Sequence, residues 1–206
     1  MKRETKIVML SAALAAMMLP AAAQTTNSQA PNTPPPTINQ RKENQQDRIA
    51  NGVQDGQLTA GETANLEKKE SNLNKEEKLM RSEDKGKLTG ADRKVLNQQQ
   101  NQLSNQIYKD KHNAAVQNTN PTSEVGKRAE NQQDRIAQGI KSGQLTAGEA
   151  SHLESKDAAI NREVRNDRAA NGGKLTSQEK AQVNHQQNNV SKQIYKDKHN
   201  AHHQAH

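Results

Sequence analysis

Four histidines close the chain, His199, His202, His203 and His206, in the run KHNAHHQAH. Imidazoles gathered in a flexible tail bind zinc, nickel or copper weakly. This tail brings no carboxylate or thiol to fix a coordination geometry, and the equivalent earlier stretch keeps only His112. For His112 and His199 a simpler role is to complement the negative end of a helix, beside Lys109, Lys111, Lys196 and Lys198. There is no cysteine, which removes disulfides, thiol nucleophiles, thiolate zinc sites and lipid attachment through an N-terminal Cys. Its absence fits an oxidising compartment. Serines and histidines occur without a nucleophile-elbow glycine pattern. The carboxylates sit among Lys and Gln on expected solvent faces, where nothing would desolvate them and shift their pKa. We therefore expect no catalytic residue, no enzyme activity and no cofactor.

The junction Asp55-Gly56-Gln57-Leu58-Thr59-Ala60-Gly61-Glu62 resembles the second half of a calcium-binding EF-hand loop. Laid on that pattern, Asn51 stands first, Val53 third, Asp55 fifth and Glu62 last. Calcium needs about six to eight oxygens, and valine supplies none. The other junctions are poorer, with Arg81 and Arg168 in the first position and Gln138 in the third loop. Asp55 and Glu62 are thus the candidate calcium ligands, and His199, His202, His203 and His206 the candidate transition-metal ligands, with no metal expected at either set.

A capping reading explains the same residues. Gly56, Gly86, Gly143 and Gly173 can take the left-handed conformation that ends a helix. Thr59, Thr89, Thr146 and Thr176 can then N-cap the next one, with Glu62, Asp92, Glu149 and Glu179 three residues on to return the bond. Asp92, shorter than Glu or Gln, makes the second box the weakest. The Leu between each Gly and Thr is expected to plug the junction.

These junctions punctuate an internal repeat. Glu43–Asn113 aligns without a gap on Glu130–Asn200, with 39 identities in 71 positions at an offset of 87. ENQQDRIA, GQLTAGE and QIYKDKHN all recur, and duplication is the economical explanation. Each copy reads as three helices, near 41–54, 60–84 and 90–112, then 128–141, 147–171 and 177–199. Large aliphatics form one narrow stripe per helix: Ile49 and Val53; Leu66, Leu73 and Met80; Leu96, Leu103 and Ile107. The second copy keeps Ile136 and Ile140; Leu153, Ile160 and Val164; Val183, Val190 and Ile194.

Leu, Ile and Val total 29 of 206 residues, Phe and Trp are absent and Tyr108 and Tyr195 are the only aromatics. That is below the level of about 20% at which globular packing becomes doubtful. Burying an aliphatic side chain contributes about 1.5–3 kcal/mol, against about 1–2 kcal/mol to order each residue's backbone. The fold class expected is all-α: two tandem three-helix (α-hairpin) repeats with thin cores, each marginally stable.

The formal net charge is +7, with the signs interspersed along the helices. Anionic partners suit such a surface, but with the signs interspersed the charges read first as solvated helix faces rather than as a binding patch, and nucleic acid is disfavoured for want of a dense basic stripe and of aromatics on which bases stack.

Lys2, Arg3 and Lys6 precede an apolar run from Ile7 to Leu19, then Pro20 and Ala21-Ala22-Ala23-Gln24. This is the pattern of a secretory signal peptide cut after Ala23; the run is shorter than the ~20 residues of a spanning helix. The organisation expected is signal peptide 1–23, disordered Pro/Thr/Asn-rich linker 24–40, repeat 41–113, linker 114–127, repeat 128–200 and His-rich tail 201–206. The mature protein would be periplasmic or secreted.

At DRIAxG, GQLTAGE, GGKLT and QIYKDKHN the chain resembles a group of exported bacterial repeat proteins. The resemblance implies a helical exported protein and carries no activity with it. A weaker one, confined to the L-T-x-x-E signatures, is to small periplasmic stress chaperones of the Spy and CpxP type, whose motif is L-T-x-x-Q. Three functions follow as expectations: a non-enzymatic structural or binding module for a protein or an anionic envelope component, with self-association possible; a periplasmic chaperone; or a weak metal-binding protein.

Overall fold

The first helix starts where a threonine ends a proline run. In the computed structural model, which describes residues 35–204, the Gln40 amide donates to the Thr37 hydroxyl at 3.2 Å and the Thr37 amide to the Gln40 side chain at 2.9 Å. This reciprocal box opens α1, Ile38–Gln54, ahead of the expected start near residue 41. The expected signal peptide, most of the spacer after it and His206 lie outside the described residues. There follow α2 Ala60–Glu83, α3 Gly90–Lys111, α4 Glu124–Lys141, α5 Ala147–Ala170 and α6 Ser177–Lys198, with no strand among the described residues. The fold is all-helical, and no described helix is long and apolar enough to cross a membrane. The fourth helix also starts early: Ser123 accepts from the Gly126 amide at 3.2 Å, so the stretch read as linker up to residue 127 already holds its first turn.

Each helix end is set by local chemistry. Gly143, at φ +67°, turns the chain after α4, and Leu145, fully buried, donates its amide back to the Gly139 carbonyl at 3.0 Å. After α2 the reversal falls on Lys85, at φ +53°, where the corresponding residue after α5 is Gly172, at φ +64°.

The two halves share one core. Within each half the three helices contact one another, but the most extensive interface joins α2 to α5, followed by α1 to α4. Across the α2–α5 seam Gly61 lies beside Ala158 and Gly148 beside Ser71, so the helices run antiparallel with small residues at the crossing. The Ser151 hydroxyl donates to the Ala64 carbonyl at 2.8 Å. Ile49, Leu58, Leu66, Ile107, Ile136, Leu145, Leu153 and Ile194 belong to a single continuous buried cluster. Each half lends its narrow stripe to the other, so the two copies pack together on this core. Met80 and Leu73, expected in the stripe of α2, are only half-buried, because the inward positions of that helix are held by polar side chains.

Candidate functional site

Those polar side chains are carboxylates. Glu67, Glu70, Asn74 and Glu77 follow one another at helical spacing, so they fall on a single face of α2; α5 presents Glu154 and Asp157 at the corresponding places. Glu67 and Glu154 are 0% exposed, Glu70 1% and Asp157 4%. This corrects the expectation that the acids occupy solvent faces: in Leu-Glu-x-x-acid, with Glu70 or Asp157 last, the acids ride beside the core leucine, and the Leu66 and Leu153 stripes carry them inward.

Amides from the neighbouring helices meet the acids. The Gln46 Nε2 of α1 donates to Glu67 Oε2 at 3.2 Å. The Gln133 Nε2 of α4 donates to Glu154 at 2.8 Å and to Asp157 at 3.0 Å. Beyond these bonds, Glu67 Oε1, Glu70 Oε2, Glu154 Oε1 and the Oε1 atoms of Gln46 and Gln133 are buried acceptors with no partner. Among the described residues one cation is buried nearby: Lys42 Nζ donates to Glu77 Oε2 at 2.9 Å, and the half-exposed Arg81 reaches the other Glu77 oxygen at 2.7 Å. In the second half Ala129 and Val164 stand at the places of Lys42 and Glu77.

The electrostatics follow from burial. Loss of water raises Glu67 well above the ordinary carboxylate range, with the Glu70 charge adding to the effect and the Gln46 bond opposing it. Burial likewise raises Glu154, helped by Asp157 and Glu67. Glu70 is pushed up by burial to about 7, although Lys42 pulls the other way; Asp157 is pushed to about 7 by burial against the Gln133 bond. Burial also opposes ionisation of Glu77, but Lys42 and Arg81 outweigh it and hold that carboxyl below its usual range. Glu67 and Glu154 are fully buried and out of contact with solvent.

The cap residues lie at the helix starts. Each threonine amide donates to its acid: Thr59 to Glu62 at 2.9 Å, Thr89 to Asp92 at 2.8 Å, Thr146 to Glu149 at 2.9 Å and Thr176 to Glu179 at 2.8 Å. Asp92 closes its box despite its shorter side chain. Gly56, Gly86, Gly143 and Gly173 all have positive φ. Glu62 is wholly occupied, its Oε1 accepting from the Asn113 side chain at 2.6 Å. Val53 is buried in the core and Asp55 is exposed at the end of α1, so these residues do not close a loop around an ion. His199 ends α6, stacked on Tyr195 at 4.2 Å with its Nδ1 on the Tyr195 carbonyl at 2.7 Å; His112 does the same with Tyr108. His202 and His203 are exposed. The tail beside them is fastened: the Gln204 amide donates to the Gly143 carbonyl at 2.9 Å, and its side chain accepts from the buried Ala147 amide at 3.1 Å. Among the described residues no group of three or more His, Asp or Glu is placed to hold a metal ion.

On the outer face of α5, Arg162, Arg165 and Arg168 recur every third residue. Arg165 and Arg168 line a groove with Ser123 and Gly126 at the start of α4, and Arg162 and Arg165 line its neighbour with Thr59 and Gly61 at the start of α2. The first groove also contains Glu130. The ion pairs among the described residues are Lys42–Glu77, Arg81–Glu77 and Lys180–Glu124, so none of the three arginines is neutralised by a carboxylate contact.

Comparison with protein-family models, with curated proteins and with solved structures finds no match.

Sequence reasoning passed over both features, yet each left a trace. Glu67 and Glu70 return as Glu154 and Asp157, acid for acid, while Lys68, Ser71 and Asn72 between and beside them become Ser155, Ala158 and Ala159. Lys75, Lys78 and Arg81 return as Arg162, Arg165 and Arg168, base for base.

Proposed function

We propose that this is an exported, non-enzymatic tandem-repeat protein that works by binding an anionic component of the cell envelope. The observation that carries the reading is the run Arg162, Arg165 and Arg168 along grooves that also meet the starts of α2 and α4. Guanidinium groups favour anions, and none of these three is met by a carboxylate of the described residues. Export rests on the signal-like sequence of residues 1–23. A general chaperone reading is less well supported: the large apolar side chains at the described surface are Leu79, Val95, Tyr108, Val116 and Tyr195, too few to offer the broad apolar patch that unfolded clients need.

Co-sedimentation with isolated envelope material tests this. Binding should fall steeply between low and physiological salt and be lost in Arg162→Gln/Arg165→Gln/Arg168→Gln with helicity intact. Salt-insensitive binding, or full retention in that variant, would remove the groove from the mechanism.

A further inference from the structure

We propose that the α2–α5 seam is a proton-binding site that clasps the two halves together. Glu67, Glu70, Glu154 and Asp157 hold protons there, and release of those protons drives α2 and α5 apart. The inference is independent of what the outer grooves bind.

Four carboxyl groups, each nine-tenths or more buried, lie on the two helices of this seam, and Glu67 acts on Glu154 across it. An ionised carboxylate in such surroundings persists only when it is paired, and otherwise takes up a proton. The charged groups acting on the four are few. From α1 there is Lys42, already bonded to Glu77; on α2 itself there is Glu77, which is shared with Arg81. The α4 helix contributes only the neutral Gln133 amide, and Ala129 stands in the place of Lys42. No charged group of α3 or α6 contributes to the balance at these carboxyls. One cation committed elsewhere cannot neutralise four acids.

Hydrogen-bond accounting points the same way. The unpartnered buried atoms at the seam are all oxygens: Glu67 Oε1, Glu70 Oε2, Glu154 Oε1, and the Oε1 atoms of Gln46 and Gln133. The two glutamines already spend amide donors on the acids. A set made only of acceptors lacks hydrogens, and buried polar groups are otherwise almost always satisfied. Protonating a carboxyl adds an O–H donor and removes a charge in one step. Unpartnered amide oxygens also occur away from the seam, at Gln45, Gln100, Gln132 and Gln187, so the weight rests on the three carboxyl oxygens, each of which a proton would satisfy.

The antiparallel geometry makes the site a clasp. Glu67 acts directly on Glu154 across the seam, so ionisation places like charges on opposite helices, within the largest contact between the halves.

Equilibrium unfolding of the purified protein in urea, at pH 5 and at pH 8, tests the proposal. A proton held by the fold but not by the unfolded chain lowers the folding equilibrium constant about tenfold per pH unit over the window between the two pKa values. We expect a loss of about a hundredfold or more between pH 5 and pH 8. In Glu67→Gln/Glu70→Gln/Glu154→Gln/Asp157→Asn the loss should shrink to a few-fold. Equal stability of the wild type at both values, or an undiminished loss in the variant, would overturn the clasp. If the variant does not fold, carboxyl-carbon NMR titration of the folded wild type decides instead. Four side-chain carboxyls still protonated near pH 5.5 would support the proposal, and titration of every carboxyl in the ordinary range would refute it.

Discussion

Leu145 is seated against the bare backbone of Gly139, where an added methyl carbon would fall 2.6 Å from its side chain; Leu58 bears on Gly52 in the same way at 2.8 Å. Both leucines are fully buried. The glycine in each helix is therefore a socket for the leucine of the following junction. Gly139→Ala should destabilise the protein by about 1–2 kcal/mol, because forced overpacking of about 1–3 kcal/mol outweighs a helix-propensity gain of at most about 1 kcal/mol. Gly90→Ala, with nothing within 4 Å, should be neutral within about 0.5 kcal/mol. Urea midpoints of the two variants provide the comparison, and equal effects would dismiss the socket.

Lys85 carries a backbone strain that Gly172, its counterpart in the second half, avoids. A side chain at φ +53° costs about 1–2 kcal/mol relative to glycine. Lys85→Gly should therefore stabilise by about 1 kcal/mol, less the entropy that glycine returns to the unfolded chain. Gly172→Lys, with open space around its Cβ position, should lose a similar amount through conformation alone. Thermal melts suffice to check the signs, and a loss of stability in Lys85→Gly would contradict the argument.

The helices were legible because their punctuation is local: Gly, Leu, Thr and Glu at fixed spacing can be read one junction at a time. The start of α1 is harder to read, because Thr37 and Gln40 form the same box directly after a proline run and without the Gly-x-Leu that announces α2, α3, α5 and α6. The seam was not legible because it is made between halves. Nothing in LEKKE says that Glu67 faces α5 rather than water until Gly61 and Gly148 are seen to let the two helices approach. Similarly, Gln46 and Gln133 look like surface amides until the acids that they meet are placed.

Gln204 fastens the tail to the third junction, and Ala147 depends on it. Gln204→Ala removes the acceptor of a buried amide at a helix start, a loss of about 1–3 kcal/mol. The effect should be local, seen as faster hydrogen exchange at Ala147 and neighbouring amides while α1–α3 stay protected. Unchanged exchange at that junction would show the strap to be dispensable.

Lys42 and Glu77 form a buried ion pair where the other half has alanine and valine, so the protein holds two solutions to one packing problem. Side-chain exposures of 11% and 8% place the pair where desolvation cancels much of its attraction, and replacing both members with apolar residues is often neutral or stabilising by about 1–4 kcal/mol. Lys42→Ala/Glu77→Val, which copies the second half, should therefore cost little. Lys42→Ala alone is different. It leaves Glu77 with Arg81 only, and takes from Glu70 the cation that restrains its rise. The pH behaviour then has a definite sign. Glu77, lowered in the fold, stabilises above its unfolded pKa, and that contribution is lost as pH falls through the folded value. Glu70, raised to about 7, does the reverse, since the unfolded chain ionises first and stability drains away as pH rises from about 4.5. Removing Lys42 moves Glu70 higher still, so Lys42→Ala should lose more stability at pH 8 than at pH 5. The double variant still removes Lys42, but it also takes away the Glu77 charge that raises Glu70, so its extra loss at pH 8 should be smaller than that of the single variant. Urea unfolding of the wild type, the single and the double variant at both pH values gives the coupling directly. If the double variant is as unstable as Lys42→Ala, the ion pair and the apolar pair are not interchangeable.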